Sequence, residues 1–342
     1  MKSSDSQWLF PIEALKYTPS QCPLDRELVD RARGVEFAFR LGLSLQMPMS
    51  ALCTAATWLH RFYMRYTLED FWPEEVATAC IFVATKTEEC GRKLRDVARI
   101  YLSKMAEIDL KEFADDNKDL AQAQSMILRV EEYVLEALCF DLFVESPHSE
   151  LVDIFDIAHK DEEDHTLLEE YAWTFAHDSY RTPLCILYPP QIVAAACYVL
   201  AQHLFDGPNS SSLDARLSAV PPSASLPTPP THKPPSPDAS RFVVEHYAFS
   251  PVELHSVAEA LNILLEFYRC QNPEKLRHLG AITSISPPTS VSNHLPLYTP
   301  WPDLETSIGA GGQIEGRGGD FGRTPSTDGG RTPNTEDWSG RR

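Results

Sequence analysis

Apolar residues between positions 25 and 205 recur at three- and four-residue spacing, the period that gathers side chains on one face of an α-helix. Leu28, Ala32, Val35 and Phe39 share a face of a first predicted helix, and Leu52, Ala55, Ala56, Leu59 and Tyr63 share a face of a second. A third opens at Pro73, whose fixed φ and missing N–H suit the first helical position, with Glu74 and Glu75 against the positive end of the helix dipole. It continues as Val76-Ala77-Thr78-Ala79-Cys80-Ile81-Phe82-Val83-Ala84, apolar all round, which predicts the enclosed central helix of a bundle. Leu94, Val97, Ala98, Tyr101, Leu102 and Met105 mark a fourth. An acidic connector follows, and Met126, Ile127, Val130, Val134, Ala137 and Leu138 mark a fifth. No segment sustains the alternation of a strand, so the predicted fold class is all-α.

The pattern repeats at a constant offset of 117 residues. Thr57-Trp58-Leu59-His60-Arg61-Phe62-Tyr63 corresponds to Thr174-Phe175-Ala176-His177-Asp178-Ser179-Tyr180. Without a gap, Pro73, Val76, Ala77, Ala79, Cys80 and Ala84 then correspond to Pro190, Val193, Ala194, Ala196, Cys197 and Ala201. Leu151, Ile154, Phe155 and Ala158 precede this second copy. Leu254, Val257, Ala258, Leu261, Leu264 and Leu265 follow it, on a helix opened by the capping box Ser250-Pro251-Val252-Glu253. Two tandem five-helix units are predicted: 25–143 after an N-terminal extension over 1–24, and 144–271. Nine prolines fall within 206–240, so that stretch is read as an insertion in the second unit without helix or central strand. Residues 272–342 hold 11 of the 15 glycines and few aliphatic side chains, and are expected to form a disordered tail.

Composition narrows the chemistry. The 342 residues carry a formal charge of −19, which opposes nucleic acid or an anionic membrane as the main partner. No apolar run approaches the ~20 residues of a membrane span, and Met1–Phe10 does not read as a secretory leader. The 8 cysteines include no CxxC pair, so neither a structural zinc nor a redox dithiol is expected. These features together suggest a soluble protein of a reducing compartment.

Several separated motifs, in one order, resemble the cyclin family. Leu59-His60-Arg61-Phe62-Tyr63-Met64, Ala79 through Glu89, and Arg92-Lys93-Leu94-Arg95-Asp96-Val97 look like the first cyclin box of transcriptional cyclins. Leu128-Arg129-Val130-Glu131-Glu132, the stretch Leu138-Cys139-Phe140-Asp141-Leu142, and Ala172 through Ser179 are similar as well. Trp8 and Thr18-Pro19-Ser20-Gln21 stand where cyclin K-like chains have them. The resemblance covers roughly 8–205 and 241–270, and points to the K and T kinds and to the fungal cyclin subunit of the kinase of the RNA polymerase II C-terminal domain. It departs from cell-cycle cyclins at Thr87, often apolar there. It also departs at Arg33-Gly34-Val35-Glu36, near the place of their substrate-docking patch, which finds no match in the first helix. The L kind is disfavoured because no Arg-Ser-rich tail follows.

What the resemblance implies is a regulatory subunit rather than an enzyme. It would bind and activate a cyclin-dependent kinase as a heterodimer in the nucleus, with no cofactor and no metal. Its kinase-binding residues would be Lys86, at the end of the third helix, and Glu131 on the fifth, with Leu135 and Leu142 as apolar contacts. The residues themselves give Lys86 as the first charge after Glu75, on a stem long enough to cross apolar surface, and place Glu131 off the core face of its helix with Leu135 on the same flank. Two rival readings are weighed beside this. His177-Asp178 is the dyad of HD-type metal-dependent phosphohydrolases, and Glu162 with His165 has a di-metal ligand spacing; but the equivalent of His177-Asp178 in the first copy is His60-Arg61, which favours a structural His. Arg92, Lys93, Arg95 and Arg99 are the densest basic cluster, as a DNA-bound general transcription factor of the TFIIB kind would need, against the acidic net charge. Ser236-Pro237, Thr228-Pro229, Ser286-Pro287, Thr299-Pro300 and the Thr-Pro pairs ending at Pro325 and Pro333 are candidates for proline-directed phosphorylation.

Overall fold

Helix starts follow the local signals. In the computed structural model, which describes residues 7–107, 118–158, 166–218, 242–273, 279–291 and 296–301, a 3-10 helix (Ile12–Tyr17) is followed by α1 (Leu24–Ser44), α2 (Met49–Phe62), α3 (Pro73–Thr87), α4 (Leu94–Ala106) and α5 (Lys118–Ala137). The second copy contributes α6 (Pro147–Ala158), α7 (Thr166–Ser179), the single turn α8 (Leu184–Leu187), α9 (Pro190–Asp206), α10 (Leu213–Leu217), α11 (Phe242–Tyr247) and α12 (Pro251–Arg269), and α13 (Leu279–Thr283) comes last. The described residues contain no strand. Pro occupies the first turn of α3, α9 and α12. At α12 the predicted capping box forms, with the Ser250 amide donating to Glu253 Oε2 at 2.8 Å.

The repeat is real in space. α2 and α7 begin and end 117 residues apart, and α3 and α9 begin at the same offset. As their all-apolar pattern requires, α3 is buried from Val76 through Thr85 and α9 from Ile192 through Gln202. Helices α1, α2, α4 and α5 surround α3, while α6, α7, α10, α11 and α12 surround α9. Gly42 of α1 lets the backbone approach α2 closely: a Cβ there would lie 1.9 Å from Leu52 Cδ2.

Two expectations need correction. The Pro-rich segment does hold a helix, α10, because all its prolines but Pro208 fall at 221–237 and leave 209–220 free. Ser212 caps α10 by accepting from the Ala215 amide at 3.3 Å, Leu213 and Leu217 are buried, and the buried Arg216 pairs with Asp206. The short helices α10 and α11 flank residues 219–241, which lie outside the described residues. The segment read as tail also packs in part. Leu279, Ile285, Val291, Leu297 and Tyr298 are buried in the core around α9, since these few apolar side chains find an open flank of α12. Residues 302–342 lie outside the described residues.

The two units exchange residues at their junction. Leu28 and Ala32 of α1 and Leu15 of the 3-10 helix join the core of the second unit, and Tyr180 joins that of the first. Buried between them, Arg31 pairs with Glu27 and donates to the Tyr63 carbonyl at 2.8 Å. The N-terminal extension seals the seam, with the Phe10 amide on the Ile186 carbonyl at 2.8 Å and Trp8 buried beneath the Arg61 guanidinium.

Candidate functional site

The last turn of α3 carries Lys86 to the surface, and the packing of α3 on α5 sets Glu131 opposite it. Lys86 Nζ donates to Glu131 Oε1 at 2.5 Å and sits 4.1 Å from the centre of the Phe82 ring. The pair is lopsided: 50% of the Lys86 side chain is exposed, but only 11% of that of Glu131. Glu131 therefore lies on the buried side of α5 rather than off its core face, because the end of α3 covers it. A carboxylate so placed depends on its one cation, whereas the ammonium still has water on its open side.

Beyond Glu131, α5 ends in a Schellman motif. The Phe140 amide donates to the Leu135 carbonyl at 3.1 Å and the Cys139 amide to the Glu136 carbonyl at 2.9 Å. Cys139 takes the left-handed position that usually falls to Gly (φ 50°), and Phe140 is left-handed as well (φ 59°). That backbone turns Phe140 and Phe143 outward, each 71% exposed. Leu135 and Leu142 are half-buried, and Leu128 is exposed one turn before Glu131. The connector is held from behind: Arg61 donates to the Phe143 carbonyl at 3.0 Å, and Gln7 and Trp8 donate to Asp141 at 2.6 and 2.9 Å. Those two side-chain bonds hold the Asp141 carboxyl below its usual range.

The structure thus brings together Lys86 and Glu131 and sets Leu135 along the same helix, while Leu142, half-buried, follows in the connector. Sequence reasoning passed over Phe140, Phe143 and Leu128. A signal existed for the first two: a pair of aromatic residues just beyond the end of the fifth helix's apolar pattern.

The rival sites are differently employed. His177 Nδ1 meets His148 Nε2 at 2.6 Å, while the neighbouring Asp178 accepts from the Tyr268 hydroxyl at 2.7 Å, so the two members of the dyad face different partners. Burial, and then the neighbouring His177, lower the His148 pKa to about 4. Among the described residues no three His, Cys, Asp or Glu side chains converge on a metal position; Glu162 and His165 lie outside them. The equivalent His60 is buried, and its Nε2 donates to the Tyr180 carbonyl at 2.9 Å across the junction. Burial, reinforced by Arg31, lowers its pKa to about 3 and keeps it neutral. Of the basic cluster, Arg92 binds the Leu45 and Gln46 carbonyls at 2.7 and 2.8 Å and so caps the end of α1. No helix of the described residues is long and apolar enough to cross a membrane.

Comparison with known proteins agrees with this architecture. Residues 12–143 match the family "Cyclin, N-terminal domain". The chain is 39% identical to Cyclin pch1 of Schizosaccharomyces pombe over 200 residues, which cover 57% of each chain. It is 32% identical to human Cyclin-K over 200 residues, 58% of this chain and 33% of that one. It therefore spans between a third and somewhat over half the length of these relatives. Among solved structures, a chain of the yeast RNA Pol II CTD kinase CTDK-1 complex superposes with a TM-score of 0.53 at 19% identity, over 89% of this chain and 83% of that one. A chain of the CAK complex of Chaetomium thermophilum gives 0.50 at 16%, over 87% and 81%. At those identities the likeness is one of fold. Residues 12–143 therefore carry a cyclin N-terminal domain, in a chain similar over somewhat more than half its length to Cyclin pch1 and Cyclin-K.

Proposed function

We propose that the chain is the regulatory subunit of a cyclin-dependent kinase that phosphorylates the C-terminal domain of RNA polymerase II, acting in the nucleus in transcription. The observation that carries this reading is the Lys86–Glu131 pair, half open to solvent, on a helix followed by two outward-turned phenylalanines in a connector braced from within. Similarity to Cyclin pch1 and Cyclin-K, and the fold shared with a chain of the yeast CTD kinase complex, support the same choice of partner.

Such a subunit performs no chemistry of its own. It binds the active arrangement of the kinase better than the inactive one, and can shift that equilibrium only by its differential affinity. Lys86 and Glu131 would hold a polar backbone segment of the kinase. Phe140, Phe143, Leu128, Leu135 and Leu142 would supply the apolar area that excludes water around it. Purification of the full chain from its natural source tests the reading. A protein kinase should co-purify in equal amount and phosphorylate a peptide of C-terminal-domain repeats; a stoichiometric preparation without any kinase would overturn it.

A further inference from the structure

Residues 296–301 close a clasp over the junction of the two helical units. The Leu297 amide donates to Glu266 Oε2 of α12 at 2.8 Å, a side-chain acceptor rather than a backbone one. Tyr298 is buried with its ring edge-on to Phe267, centroids 5.6 Å apart. One residue on, Thr299 Oγ1 donates to Asp25 Oδ2 in the first turn of α1 at 2.7 Å. Three consecutive residues therefore tie the second unit to the first, through one amide, one ring and one hydroxyl.

The residue after that hydroxyl is Pro300, and it is exposed. We propose that Thr299 is a site of proline-directed phosphorylation and that modifying it releases the clasp. The chemistry bears directly on the contact. A kinase transfers the γ-phosphoryl group of ATP to Oγ1: the new P–O bond forms there, the bond to the β-phosphate breaks, ADP leaves, and the hydroxyl proton passes to the kinase's base. The proton lost is the one given to Asp25. In its place stands a group of charge ≈ −1.5 to −2 facing a carboxylate. Asp25 already spends its other oxygen on the Arg26 amide at 2.8 Å, and it has no proton to return.

Among the described residues the other Ser/Thr-Pro pairs lack this combination, Ser146 having its hydroxyl oxygen on the Tyr180 hydroxyl and the His148 amide. Thr182-Pro183 is fully buried at Thr182, Ser250 caps α12, and the Thr18 hydroxyl is bound to Glu27, itself held by the buried Arg31. Ser286-Pro287 is exposed. Thr299 lies between these extremes: half-buried when the clasp is closed, and free once it opens. A kinase needs an accessible, extended acceptor segment, so it reads only the open state, and the phosphate then keeps that state open by population shift. The inference does not depend on which kinase the chain activates.

The test uses the purified full chain, ATP and an active proline-directed kinase, with sites mapped by mass spectrometry and the clasp followed by hydrogen exchange at the Leu297 amide. Phosphate is expected on Thr299, more slowly than on Ser286 in the same molecule. Asp25→Ala should raise the Thr299 rate relative to Ser286 by about tenfold, the scale of losing one hydrogen bond to a charged acceptor. Phosphorylated chain, and separately Thr299→Val, should exchange the Leu297 amide about tenfold faster while the α5 amides keep their protection. Three results would each overturn the proposal: Thr299 unmodified while Ser286 is labelled, an unchanged rate ratio in Asp25→Ala, or full modification with wild-type protection at Leu297.

Discussion

Substituting Glu131→Ala separates a contact made for a partner from one made for the fold. In the free chain the pair is half open: Glu131 is covered, but half of the Lys86 side chain is in water. Removing the carboxylate lets that ammonium rehydrate, so the loss is that of a screened surface pair, about 0–1 kcal/mol. For a chain of this size that corresponds to a shift of roughly 2–4 °C at most in Tm. A kinase docked over the site closes the open side. Lys86 would then be buried without its counter-charge, and breaking one side of such a pair costs about 3–5 kcal/mol. At 1.4 kcal/mol per decade, affinity should fall by roughly two to three and a half orders of magnitude. Titration of the co-purified kinase by calorimetry or interferometry measures this, with Glu132→Ala, an exposed neighbour on α5, as the control that leaves Kd unchanged. Lys86→Met on top of Glu131→Ala should recover part of the loss, because no charge is then stranded. The reasoning is refuted if Glu131→Ala binds within about twofold of the parent while melting normally.

Replacing Phe140 and Phe143 together by Ala should leave Tm within about 1 °C, since each ring is 71% exposed, yet weaken kinase binding at least tenfold in the same titration. Gly42→Ala would press a methyl into the fully buried Leu52; overpacking of about 1–3 kcal/mol less the ~1 kcal/mol gained in helix propensity should leave a net loss of up to about 2 kcal/mol in chemical denaturation. His60 gives the pH dependence: its folded pKa, about 3, lies below the ordinary 6.5, so the unfolded chain takes up a proton that the native chain refuses. Its contribution is complete above pH 6.5 and is lost as pH falls from there towards 3, at about 1.4 kcal/mol per pH unit. His60→Gln keeps a donor for the Tyr180 carbonyl and should flatten the fall in urea midpoint between pH 6.5 and 5 by about one proton's worth; an unchanged slope would sink the assignment.

The helices were legible because their signals are local. Proline at a first turn, the box of Ser250 with Glu253, and the all-apolar runs of α3 and α9 act within a turn or two, and a repeat at constant offset shows wherever two copies share a core. No local signal joins Lys86 to Glu131: 45 residues separate them, and only the family resemblance named the two together. Folding alone decided that Glu131 lies beneath the end of α3 while its cation stays half in water, that Phe140 and Phe143 face outward from a left-handed turn, and that His60 finds the Tyr180 carbonyl 120 residues away. Leu297 and Tyr298, set among polar and proline residues, show no period at all. They are core because α12 left a flank open to them, and burial of that kind depends on how packed helices leave space, which no stretch of chain encodes within itself.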